Sequence, residues 1–218
     1  EYGRIYDRRK GFIEKHIQHA QFVACLNPAV GSFVINPRLQ RHFTTFATGM
    51  PSKGALQEIY ETFLLKRDEA GQIIGGHLCD WAAEFQNISK AIVNAALSLH
   101  SAVAETFRKT ARNFHYEFNV RHLSNVFQGL LVAQAEQFVD PPKLVELWLH
   151  ESERVYADRL VSLSDIHRYM ALAKKAYLTA FSGSEFSKIG QFFGNASHPL
   201  VFCHFCDSYD EERSKKVY

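Results

Sequence analysis

The sequence lacks the loops and motifs that self-sufficient enzymes carry. No G-x-x-x-x-G-K-[ST], G-x-S-x-G, H-E-x-x-H or G-x-G-x-x-G occurs in its 218 residues. Each of those motifs sets a phosphate cradle, a nucleophile or a metal pair in place. Their absence argues against a self-contained NTPase, serine hydrolase, zinc protease or dinucleotide enzyme of the usual kinds. Charge of one sign is lacking too: 25 Lys+Arg stand against 23 Asp+Glu, a net of +2. Such a balance recommends neither nucleic acid nor a membrane surface as partner. No apolar run nears the roughly 20 residues that span a bilayer. The charged start EYGRIYDRRKGF has no signal-peptide core. It also lacks Met, so the chain is expected to be a piece of a longer one.

Cysteine is scarce. Cys25, Cys79, Cys203 and Cys206 form no secreted disulfide framework, which fits a reducing compartment. CHFC at 203–206 has metal-ligand spacing. A structural zinc needs four ligands, however, and no second C-x-x-C or H-x-x-x-H pair exists. The eleven histidines are scattered, and the i, i+3 pair His16 and His19 makes no metal site. No metal site is assigned; a zinc module built on CHFC stands as the weakest alternative.

What the chain does have is helical periodicity. Ser52 is a good N-cap for a helix with Leu56, Ile59, Tyr60, Phe63 and Leu64 on one face. Three glycines between 68 and 78 then break the pattern. Ile88, Ile92, Val93, Ala96, Leu99, Val103 and Phe107 predict one long amphipathic helix over about 85–108. After the aromatic connector NFHYEFN, Asn119 can cap a helix carrying Leu123, Val126, Phe127 and Leu130. Asp140-Pro141 reads as a cap and first turn for a helix to about 161. Ser164 or Asp165 starts another, with Tyr169, Ala173 and Tyr177 inward.

Strands are fewer. QFVACL (21–26) is an apolar run ended by Asn-Pro, and FTTFAT (43–48) is rich in aromatic and β-branched residues. LVFCHF (200–205) reads as one more. The expected fold is mainly α with a small α/β portion of two or three strands. The expected boundaries are 1–51, 52–184 and a connector, 185–218.

The candidate functional residues lie at the ends of these elements. Asn27 follows an apolar run, where ligand-facing groups sit in an open α/β sheet; as a plain turn residue before Pro28 it would need no ligand. Arg121 falls in the first turn of a helix, where the dipole disfavours a cation by up to about 1 kcal/mol. An external anion would explain it; so would solvent at an exposed helix end. Arg38 and Arg41, beside a turn, are either surface charges or guanidiniums that reach a phosphate. The row Glu151, Glu153, Arg154, Asp158 and Arg159 has the spacing of ion pairs within one helix, a structural role.

Three longer stretches, FVACLNPAVGSFVINPRLQRHF, FHYEFNVRHLSNVFQGLL and LWLHESERVYADRL, resemble the heavy chain of dynein, specifically the third AAA+ module of its motor ring. EYGRIYDR resembles the same module just after its Walker B strand. The form NPAVGSFVINPRLQRHF resembles axonemal chains, nearest the outer-arm beta type. The likeness runs from residue 1 to about 165 and resumes near VFCHF. It implies a partial AAA+ large subdomain followed by a helical lid. It implies that Asn27 is sensor 1, that Arg41 is the arginine finger toward a neighbouring module with Arg38 as the lesser alternative, and that Arg121 is sensor 2. The family usually has Asp after the sensor-2 arginine, where this chain has His122. Also implied are ATP or ADP with Mg in the complete module, with none expected on the isolated chain. The implied partners are the neighbouring modules of the heavy chain, other dynein subunits and, through the full motor, the microtubule, in the cytoskeleton of a cilium or flagellum. A helical protein-interaction module without a nucleotide role is the competing expectation.

Overall fold

In the computed structural model, residues 3–26, 35–181, 183–193 and 200–202 are described. The chain divides into two compact units, Glu1–Met50 and Pro51–Tyr218.

The first unit holds a β-hairpin. Strand β1, Arg4–Asp7, pairs antiparallel with β2, Ile13–His16, in the register Arg4 opposite His16. Asp7 accepts from the Arg9 amide and starts a single 3₁₀ turn, and Gly11 leaves it at φ 66°. Two ion pairs clasp the hairpin, Arg4–Glu14 at 2.7 Å and Lys15–Asp7 at 2.6 Å. A short helix, α1, spans Pro37–Gln40, capped by the Asn36 side chain.

The expected strands at 21–26 and 43–48 are not formed. Residues 21–26 and 43–50 lie outside regular structure, with Phe22, Val23 and Phe46 more than 70% exposed. A strand exists only through its ladder, and neither run meets a partner among the described residues. The strands that do form were hidden by their polar sequences, RIYD and IEKH. Of the third expected strand, residues 200–202 are irregular and 203–205 lie outside the described residues.

The second unit is helical. Helix α2, Lys53–Leu64, starts at Ser52, whose hydroxyl accepts the Ala55 amide. The glycine-broken stretch closes a second hairpin, β3 (Lys66–Arg67) with β4 (Ile73–Gly75). Gly76, at φ 102°, approaches the Leu65 backbone so closely that a Cβ would come within 2.8 Å of it. Helix α3, Ala83–Thr106, packs against α2, α4, α5 and α6 and buries Ile92, Val93, Leu99 and Val103. Its start lacks a side-chain cap. The Gln86 amide group instead donates to the carbonyls of Leu78, Cys79 and Trp81, tying down the preceding loop.

Helix α4 spans Val120–Leu130, α5 Pro141–Tyr156 and α6 Leu163–Ala180. Asp140 precedes α5 as expected but makes no side-chain cap bond. Pro141 and Pro142 have no N–H to offer, and the Lys143 amide bonds the Asp140 carbonyl, so nothing is left to cap. Helix α5 also stops five residues sooner than expected, passing into a 3₁₀ turn, Ala157–Arg159. The cap of α6 is Ser162, two residues before the expected start, with its hydroxyl accepting the Asp165 amide at 3.1 Å. Trp148, Tyr156, Tyr169 and Phe127 are buried at the centre. Among the described residues the fold is mainly helical with two small antiparallel sheets, a helical unit joined in sequence to a small α/β portion.

Candidate functional site

The first turn of α4 is built by a capping box. The Asn119 side-chain oxygen accepts the Arg121 amide at 3.1 Å, and the Asn119 N–H donates to His122 Nδ1 at 3.1 Å. A box of this kind ordinarily uses Glu or Gln at the third helical position; an imidazole does the same work here. Arg121 is the second residue of that turn and is exposed. Among the described residues its side chain makes no ion pair.

His122 is buried, and its other nitrogen, Nε2, lies against the Arg159 guanidinium. Arg159 is anchored on both sides. Its NH2 donates to the His115 carbonyl at 3.4 Å, its own carbonyl accepts His115 Nε2–H at 3.1 Å, and its guanidinium lies 5.9 Å from the Phe118 ring centroid. Arg159 was expected to pair along its own helix. Because α5 ends at Tyr156, it leaves that row and turns to the connector and α4. The rest of the row holds in part: Arg154 donates two bonds to Glu151 Oε2, at 2.9 and 2.5 Å.

Burial pushes the His122 pKa below its ordinary value, and the positive charges of Arg159 and Arg121 push it the same way. His100, on α3, is lowered by burial and by the nearby His122; its Nδ1 meets the Tyr156 hydroxyl at 3.0 Å. Three histidines and two arginines thus gather at one end of the bundle. Sequence alone pointed to Arg121, noted His122 only as a departure from the family's Asp, placed Arg159 in an ion-pair row, and missed His115. The signal for His122 was present as N-x-x-H at the helix start. The others come together only through the fold.

A cleft of about 760 Å³ lies between α4 and α5, lined in part by Lys143, His150, Glu151 and Phe202. Phe202 lies parallel to Phe138, with Lys143 5.3 Å from its ring centroid, and His150 donates to the Leu200 carbonyl at 3.2 Å. Gly129 lets α4 pass over Glu151: a Cβ there would fall 2.2 Å from the Glu151 carboxyl.

In the first unit, Arg38 and Arg41 are both exposed on or beside α1. The Arg38 amide donates to the Asn36 side chain at 2.9 Å, and Arg41 Nε donates to His42 Nε2 at 3.4 Å. Asn27, Cys203 and Cys206 lie outside the described residues. Among the described residues no group of three or more His, Cys, Asp or Glu could hold a metal, and no helix is long and apolar enough to cross a membrane.

Two family profiles match the chain in sequence order: the P-loop containing dynein motor region over residues 1–51, and the AAA+ lid domain over residues 92–185. The dynein alpha chain of the flagellar outer arm of Chlamydomonas reinhardtii is 48% identical over 219 residues, 96% of this chain. Human dynein axonemal heavy chain 17 is 42% identical over 95% of the chain, and the ciliary dynein beta chain of Tripneustes gratilla 36% over all of it. The chain belongs to the axonemal dynein heavy chains. It spans 4% of the length of these dynein relatives. The AAA+ lid match contains Arg121, His122 and Arg159, while Arg38 and Arg41 fall in the dynein motor-region match.

Proposed function

We propose that this chain is the nucleotide-sensing and inter-module coupling part of a dynein motor module, the third of the ring. Arg121 serves as sensor 2 and meets the phosphates of the module's own ATP or ADP. Asn27 serves as sensor 1 at the same nucleotide. Arg41 is the finger that reaches the nucleotide of a neighbouring module, with Arg38 supporting it. The observation that supports this most is the setting of Arg121. A cation without an ion-pair partner among the described residues is held at the positive end of a capped helix, where an external anion would offset its cost.

The residues present suit phosphate oxygens. The sequence has no G-x-x-x-x-G-K-[ST] hydroxyl to hold a magnesium ion. The chain alone therefore supplies contacts but no turnover. Sensor 2 sits on the lid, so its contact with phosphate ties lid angle to nucleotide state, a hinge-type coupling. In the whole motor that state would pass around the ring to microtubule release, in the axoneme of a cilium or flagellum.

The test is made in the full heavy chain. Arg121→Ala should weaken nucleotide retention at the third module and slow microtubule-stimulated turnover, with Arg121→Lys restoring part of it. Unchanged nucleotide affinity and unchanged ATPase in both variants would overturn the assignment. Arg41→Ala should slow turnover at the neighbouring module and spare nucleotide affinity at its own. If only partner binding suffers in these variants, the lid is an interaction module instead.

A further inference from the structure

His122 sits between two donors. The Asn119 N–H points at Nδ1 from 3.1 Å, and the Arg159 guanidinium lies against Nε2. A neutral imidazole accepts at one nitrogen and carries its proton on the other, and an arginine does not give up its proton. The ring can therefore satisfy Asn119 or Arg159, never both. With the proton on Nε2 the capping box closes and Nε2–H meets the guanidinium as donor against donor. With the proton on Nδ1 the ring accepts from Arg159 and the box opens.

We infer that Arg159 is a positioning residue for Arg121: it acts through the tautomer of His122, and its grip on Nε2 competes with the cap that orders the first turn of α4. The functional consequence rests on the reading of Arg121 as an anion sensor. When an anion draws Arg159 off the ring, the proton moves to Nε2, the box closes, and Arg121 is held in a regular turn. When the anion leaves, Arg159 returns and the turn loosens.

The surroundings favour a tautomer switch over protonation of the ring. Arg159 after α5 and Arg121 on α4 both oppose a third positive charge. On the connector, Glu117 favours it, and the His115 Nε2–H is already engaged by the Arg159 carbonyl. From α3, His100 faces the same ring, and its own pKa is lowered by burial. Burial opposes charge at both rings.

The experiment uses ¹⁵N-labelled chain without nucleotide. In the wild type, both His122 nitrogens should show shifts averaged between protonated and bare values. In Arg159→Met they should resolve to the Nε2–H form, and exchange of the Asn119 amide should slow roughly three- to tenfold, the worth of one ordinary hydrogen bond. His122→Asp, whose two oxygens accept from both donors, should slow that exchange with Arg159 in place and needs no arginine removal. Adding inorganic phosphate to the wild type should shift the nitrogens toward the Nε2–H form. A wild-type ring already in a single tautomer with a protected Asn119 amide would overturn the inference. So would Asn119 exchange that stays unchanged or quickens in both variants. Because the first readouts use no nucleotide, their failure leaves the Arg121 reading standing. If only the phosphate step fails, release of Arg159 by an anion falls, while the tautomer competition and the Arg121 reading stand.

Discussion

Replacing Gly129 by alanine separates helix propensity from packing. In an exposed helix interior, Gly→Ala is favourable by about 1 kcal/mol. At this position the new Cβ would lie 2.2 Å from Cδ and Oε2 of Glu151 and 2.5 Å from its Cγ. The outer half of that side chain must therefore move. Glu151 is 9% exposed and fixed by its two bonds from Arg154. Overpacking of this sort costs about 1–3 kcal/mol. Arg154 is half exposed, so solvent screening holds the displaced ion pair to about 1 kcal/mol. The sum is a net loss of about 1–3 kcal/mol, or roughly 2–12 °C in Tm for a chain of this size. Thermal unfolding followed by circular dichroism measures it, with Glu151→Ala and the double variant completing a cycle. In the Glu151→Ala background the alanine should be neutral or stabilising, a coupling of at least about 1 kcal/mol. If Gly129→Ala raises Tm in the native background, or costs the same in both, α4 does not lean on Glu151 as described.

Tyr116→Phe removes two bonds at once, the donation to Asp165 at 3.0 Å and the acceptance of the Val161 amide at 3.0 Å. It should cost about 1–3 kcal/mol in urea denaturation, since it strips a charged acceptor and a backbone donor of their partner; a cost below about 0.5 kcal/mol, the floor for one bond, would refute it. Stability should fall as pH drops below the ordinary histidine value of 6.5. His100 and His122 both have lowered values in the fold, so the unfolded chain takes up protons first, and their contribution is fully present only above that value. Denaturation at pH 8, 6.5 and 5 reads this, and His122→Gln should flatten the slope. A chain that gains stability on acidification would contradict the burial of these rings.

The helices were legible because each carries an apolar face of 3.6-residue period, and because Ser52 and Asn119 are caps whose chemistry is local. The Asp140 cap misled for an equally local reason, the two prolines that remove its donors. Strands were not legible. A strand is decided by its partner, and RIYD finds IEKH through a turn that no hydrophobic alternation announces. At the site, Arg121 was readable from its place in the helix. Arg159 was not, because its role depends on α5 ending at Tyr156 and on a connector 44 residues earlier in the chain.

Helix α5 joins two places that the sequence keeps apart. From its first turn to past its middle, Lys143 and His150 hold Phe202 and Leu200; just past its end, Arg159 grips His122. Sixteen residues make a rod of about 24 Å. Pivoted at one end, such a rod moves its far end by about 2 Å for a 5° tilt, on the same length. That travel is enough to part Arg159 from His122, so a tilt of α5 reaches the capping box of α4 through one side-chain contact.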